Sequence, residues 1–350
     1  MTLLPLHGHE ALRARLAAQV DRGALPASLL FHGPMGVGKQ RLALWLAQRL
    51  ICDGDVKPCG ECRHCRYVLG MQHPDVHWIF PHPSIPNGNK PEHDALKEQH
   101  EGILQERASG LYPRPDGSAG IFVYDTRLMV HIATRTPALA KRRVLLIGDA
   151  ERMVSQNASP EAANAFLKLL EEPPADTTVM LTSSEPSALL PTIRSRVVSV
   201  RVSPVSDDAV RAFLAEPAVS ASVQNVASSE LVRLAAGAPG TLISAEDRTV
   251  ALTRAKALLA AADAGTEQRF RAAFGSGSGK ARGAFSDVLD ALTLLVHDRL
   301  RDAAARGESI PARRLARLVP VIEEAKRAAE GTANPQLVTA QLLEAIAGGR

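Results

Sequence analysis

Gly33-Pro34-Met35-Gly36-Val37-Gly38-Lys39 has the spacing G-x-x-x-x-G-K, and its reading decides the fold class. It follows a short apolar run, Leu29-Leu30-Phe31-His32. It precedes Arg41 to Ile51, where Leu42, Leu46 and Leu50 recur along one helical face. A strand that ends in a glycine-rich turn and restarts as a helix is the context this loop requires. The glycines let backbone N–H groups converge on a phosphate, and the helix adds the positive end of its dipole. Gly33, Gly36, Gly38 and Lys39 are therefore the candidate nucleotide-binding residues, with Lys39 reaching for the terminal phosphates.

Outward from the loop, the first half of the chain alternates strand-like and helix-like patterns. Val144-Leu145-Leu146-Ile147 is a second strand, closed by Gly148-Asp149. Thr178-Val179-Met180-Leu181-Thr182 is a third and Val197-Val198-Ser199-Val200 a fourth. Asn164 to Glu172 reads as a helix stopped by Pro173-Pro174, with Ser159-Pro160 as its N-cap and first-turn proline. This is the rhythm of a parallel α/β sheet. Asp149, at a strand end, joins the candidate nucleotide site as the expected metal-holding acid.

Two parts of a hydrolytic machine are missing from that site. Gln40 follows Lys39, where a Ser or Thr hydroxyl would coordinate Mg²⁺. Ala150 follows Asp149, where hydrolytic relatives carry a glutamate that polarises water, and Glu151 is displaced by one residue. Binding of ATP and Mg²⁺ is thus in question. The pattern favours a loop kept as scaffold over one that turns ATP over, and leaves weak binding through Lys39 open.

All four cysteines lie together, Cys52, Cys59, Cys62 and Cys65, spaced C-x6-C-x2-C-x2-C. The short intervals aim paired thiolates at one ion, and four sulfurs complete a closed tetrahedral shell that suits structural Zn²⁺. An iron–sulfur cluster and free thiols are the alternatives. His64 and His73 stand nearby as substitute ligands that four cysteines make unnecessary.

Among 350 residues, 41 Lys+Arg against 37 Asp+Glu leave a formal charge of +4. That surplus is too small to coat nucleic acid by charge alone. No run approaches the roughly 18 apolar residues of a membrane span, and the N-terminus lacks a signal-peptide pattern, so a cytoplasmic protein without membrane contact is expected. Residues 81–120 are rich in proline and glycine and read as a surface insertion with at most one short helix, Ala95 to Arg107. Beyond residue 206 the pattern is helical. Ser206-Asp207-Asp208 caps a helix carrying Val210, Phe213 and Leu214, and Gly237-Ala238-Pro239-Gly240 interrupts a small module. Phe285, Val288, Leu289, Leu292, Leu295, Val296 and Leu300 mark one buried helical face, and Asn334-Pro335 restarts a last helix.

The loop, the four-cysteine module, Asn164-Ala165-Phe166-Leu167-Lys168-Leu169-Leu170-Glu171-Glu172-Pro173-Pro174 and Leu189-Leu190-Pro191-Thr192-Ile193-Arg194-Ser195-Arg196-Val197 together resemble one family. It is the delta-prime family of bacterial DNA polymerase III clamp loaders, within the AAA+ proteins. The last segment matches the family's Ser-Arg-Cys motif, with Val197 in place of cysteine. The resemblance covers roughly residues 5 to 245, and the helical tail agrees in kind only. It implies an AAA+ domain over 1–204 with the zinc module at 52–65, a helical lid over 205–246 and a helical collar over 247–350. It further implies tau/gamma and delta subunits as partners, and contact with the sliding clamp and primed DNA through the assembled complex. Arg196 would be an arginine finger supplied to a neighbour's ATP, with Arg194 in support; an intramolecular salt bridge is the plainer reading of the same arginine. On this view the chain has no chemistry of its own, although it belongs to a polymerase holoenzyme. A self-sufficient AAA+ motor subunit, or a P-loop kinase, is the competing function.

Overall fold

The computed structural model describes residues 3–83, 104, 119–153, 161–223, 228–243, 245–274, 282–330 and 334–348. Most of the 81–120 insertion and the Ser159-Pro160 cap lie outside the described residues. Five parallel strands form one sheet: β1 Ser28–His32, β2 Val76–Ile79, β3 Arg143–Ile147, β4 Thr177–Ser183 and β5 Val198–Arg201, in the order β2-β3-β4-β1-β5. The register pairs Leu29 with Met180 and Val198, and Leu146 with Trp78 and Met180.

Helices cover both faces of this sheet, which is why the middles of its central strands are apolar on both sides. β3 and β4 are buried along their whole length. Successive side chains point to opposite faces, so each strand feeds two cores. Leu29, Phe31, Val144, Leu146 and Met180 pack with Leu16 of α1 (Glu10–Asp21), with Leu42 and Leu46 of α2 (Lys39–Ile51), and with Val68 of α3 (Arg63–Leu69). Leu30, Leu145, Ile147, Val179 and Leu181 pack instead with Met129 and Ala133 of the helix Val123–Ala133 and with Phe166 and Leu170 of the helix Glu161–Glu171. The α/β class read from the sequence is this doubly covered sheet.

β2 is the strand that the sequence pattern conceals. It occupies an edge, is only four residues long, and carries His77 and Trp78 at its centre. Its place matters because Trp78 faces α2.

The chain divides into two compact units, Met1–Ile243 and Ser244–Arg350. In the first, the helices after β5 begin with Ser206, whose hydroxyl accepts from Ala209 N at 3.3 Å. The second unit is helical: Ala245–Asp263, Thr266–Phe274, Arg282–Ala305, Ser309–Glu330 and Pro335–Gly348. Phe285, Val288, Leu289, Leu292 and Val296 form its buried stripe with Ile322, Leu342 and Leu343, while Leu295 and Leu300 are half-buried. Lys326 bridges Asp290 at 2.9 Å and Glu323 at 3.0 Å, and these acids outweigh its burial and raise its pKa.

Candidate functional site

The phosphate-loop geometry follows from its glycines. Gly36 has φ 73° and Gly38, which caps α2, has φ 95°; both lie in the left-handed region that favours glycine. A Cβ on Gly33 would lie 2.1 Å from the Val202 carbonyl oxygen, so only glycine lets the loop pass beside the chain leaving β5.

Lys39 is 5% exposed, and its ammonium donates to Gly33 O at 3.0 Å, Pro34 O at 2.9 Å and Ser184 Oγ at 2.9 Å. These are three bonds for three donors, two of them to the loop's own carbonyls. Burial lowers the Lys39 pKa, against the pull of Asp149 and Glu151. Asp149 sits at φ 49° after β3, with its backbone N donating to Thr182 Oγ1 at 3.0 Å. Its carboxylate accepts from Gln40 Nε2 at 3.0 Å, and Gln40 Oε1 accepts from Trp78 Nε1 at 3.0 Å. Ala150 is fully buried. Glu151 turns to accept from Ser184 N at 2.9 Å, and burial, then Asp149, raises its carboxyl pKa. The residues around the loop do not fit a magnesium nucleotide: the would-be metal position carries a carboxamide, and the acid beside Asp149 is bonded to backbone.

The segment after β5 closes over the same loop. Gly240 N donates to Gly36 O at 2.8 Å, and Val205 N donates to Gly237 O at 2.8 Å. A Cβ on Gly36 would lie 2.4 Å from Thr241 Cγ2. His9 Nε2 bonds Val37 O at 2.8 Å from the other side.

The four cysteines converge. Their sulfurs all lie within 4.8 Å of one another, with Cys52–Cys59 at 3.5 Å, Cys59–Cys65 at 3.9 Å and Cys52–Cys62 at 3.9 Å. Tetrahedral bonds of about 2.3 Å to a zinc ion put sulfurs about 3.8 Å apart, so the donor set fits that metal. Backbone N–H groups of Gly54, Cys59, Cys62 and Cys65 point at the sulfurs from 3.3–3.4 Å. Those of Cys62 and Glu61 hold the Cys59 thiol down to about 6, whereas burial pushes Cys65 far up. The thiol of Cys62 also caps α3.

The two nearby histidines are engaged elsewhere. Asp75 N donates to His73 Nδ1 at 3.0 Å, which leaves His73 Nε2–H to donate to His64 Nδ1 at 2.8 Å. His64 Nε2–H then meets Asp53 at 2.9 Å. This relay ties the cysteine turn to buried Asp75, whose carboxylate also accepts from Ala138, Leu139 and Ala140 N before β3. Burial holds His73 down to about 4.

Arg196 follows the short helix Pro191–Arg194 on the surface of the first unit. It is half-buried and pairs with Glu171 at the end of the helix Glu161–Glu171, while Arg194 is exposed. A buried pair with no signal in the sequence is His82 and Asp125, 3.1 Å apart at 2% and 0% exposure. His82 Nδ1 faces Pro83 O at 2.7 Å, so both ring nitrogens meet acceptors; Asp125 outweighs burial and raises the His82 pKa.

The family model described as DNA polymerase III, delta subunit, matches residues 8–206, more than half of the chain. The DNA polymerase III subunit delta' of Pseudomonas aeruginosa is 33% identical over 220 residues, covering 61% of this chain and 53% of the relative. That of Bacillus subtilis is 28% identical over 202 residues, covering 57% and 49%. The DNA polymerase III subunit gamma/tau of Mycobacterium tuberculosis is 27% identical over 269 residues, covering 73% and 40%. The chain spans about half the length of the curated delta' relatives it matches. With the parallel sheet and its phosphate loop falling inside the matched residues, the chain belongs to the DNA polymerase III delta-subunit family.

Proposed function

We propose that this chain is a delta-prime-type, non-motor subunit of a bacterial clamp loader, acting in the cytoplasm. Its partners are tau/gamma and delta subunits, and through the assembled complex it serves the loading of a sliding clamp onto primed DNA. Residues 1–204 form an AAA+ domain, 205–246 a lid and 247–350 a collar. The observation that carries this reading is that the family-matched residues hold a phosphate loop whose Lys39, Gln40 and Glu151 all bond to the fold itself. Such a loop serves as scaffold, with the lid resting on Gly36.

The chemical contribution then belongs to Arg196, donated to a neighbour's nucleotide. A planar guanidinium neutralises charge that develops on the transferred phosphoryl group, an effect of about 10³–10⁵ in rate for arginines in this role. Cys52, Cys59, Cys62 and Cys65 hold a structural Zn²⁺, whose closed shell leaves no position for water. The test is phosphate release by the purified chain beside Lys39→Ala. Equal background rates support the reading, and turnover that vanishes with Lys39→Ala contradicts it in favour of a self-sufficient motor.

A further inference from the structure

Gln40 does more than lack a hydroxyl. As the second residue of α2, it spans from the edge strand to the acid after β3. Its two bonds fix which way the carboxamide points. Trp78 Nε1 is a donor only, so the atom facing it is oxygen; the Asp149 carboxylate accepts only, so the atom facing it is the NH₂ group. The carboxamide also lies against the backbone, since a Cβ on Gly148 would come within 2.5–2.9 Å of its oxygen, carbon and nitrogen.

We propose that Gln40, held in one orientation by Trp78, is the residue that excludes a divalent cation from this phosphate loop. A magnesium ion at Asp149 needs oxygen ligands at about 2.1 Å in octahedral array. Gln40 presents N–H there, which meets a carboxylate favourably and a cation unfavourably. Turning the carboxamide over to offer its oxygen would set NH₂ against the Trp78 N–H, donor against donor. Either orientation is therefore opposed, and the exclusion rests on one side chain and its anchor. Ala150 is a separate loss, so restoring the cation does not restore hydrolysis. None of this depends on the clamp-loader reading, because it concerns the isolated chain.

The experiment uses the full chain with ATP, titrated in Mg²⁺ and again in EDTA, with intrinsic fluorescence following Trp78 beside Gln40. Any nucleotide affinity of the wild type is expected to be the same in both buffers. Gln40→Thr should bind ATP at least about tenfold more tightly with Mg²⁺ than with EDTA. That difference should disappear in Gln40→Thr combined with Asp149→Asn, and phosphate release should stay at background. Trp78→Phe, which leaves Gln40 free to turn, should show a smaller gain of the same kind. Magnesium-dependent binding by the wild type overturns the proposal. So does a Gln40→Thr chain with an unchanged melting curve and no magnesium dependence.

Discussion

Arg196 Nε lies 3.3 Å from Glu171 Oε2, and its Nη1 donates to Thr192 O at 3.1 Å, so the arginine is oriented without being enclosed. Glu171 is 56% exposed at its side chain, and an ion pair so open to water contributes at most about 1 kcal/mol. A phosphate group, which accepts two charge-assisted bonds at once, competes readily for such an arginine. Glu171→Gln should therefore change the unfolding free energy by less than about 1 kcal/mol in a urea titration. A larger loss would mean that the pair is structural and that the arginine is committed to its own chain.

The cysteine cluster should carry about one zinc per chain by elemental analysis, and Cys62→Ser should lose it. Because Cys62 also caps α3, and the relay through His64 leaves the same turn, the melting temperature should fall together with the metal. Full metal retention in Cys62→Ser would remove that residue from the shell.

His73 gives the chain an acid-side pH dependence. It is neutral when folded, with a pKa of about 4 against 6.5 in the unfolded chain. Between these values the unfolded state binds more protons, so stability is complete above about pH 6.5 and declines as the pH falls to 4. The loss should be about 1–2 kcal/mol, and His73→Asn should flatten this slope in denaturant titrations from pH 7 to 4.5. His82 acts with the opposite sign: its raised pKa stabilises the fold at low pH, and that contribution fades as the pH rises through the folded value.

Two glycines with similar backbone angles should respond differently to alanine. Gly23, at φ 64°, has nothing within 4 Å of an added Cβ, so Gly23→Ala carries only the backbone penalty of about 1 kcal/mol. Gly36, at φ 73°, would also drive a Cβ against the backbone and side chain of Thr241. Gly36→Ala should therefore cost about 2–4 kcal/mol and raise amide exchange across 237–243. Equal costs at the two sites would separate the 237–243 segment from the loop.

Much of the first unit is legible in the sequence because its determinants are local. The apolar runs around Leu30, Leu146, Met180 and Val200 lie within β1, β3, β4 and β5, and the loop glycines announce the turn before α2. Helix α1 and the helix Val123–Ala133 carry no comparable apolar run. β2 is harder to read because its apolar run, Trp78-Ile79-Phe80, is short, is split from Val76 by His77 and runs straight into Pro81. What the sequence cannot supply is pairing at a distance: Gln40 with Trp78 and Asp149, Lys39 with Ser184, Glu171 with Arg196, and His82 with Asp125. These contacts depend on strand order. Once the order brings β2 beside β3, Trp78 comes within reach of Gln40 and the loop's character follows.

The most direct test is steady-state phosphate release by a reconstituted ring containing gamma/tau and delta subunits, clamp and primed DNA, with either Lys39→Ala or Arg196→Ala in this chain. The account predicts that Lys39→Ala leaves the rate unchanged, while Arg196→Ala lowers turnover at the site it faces by about 10³-fold or more and reduces the ring's total accordingly. A ring that loses turnover with Lys39→Ala and keeps it with Arg196→Ala would contradict the account.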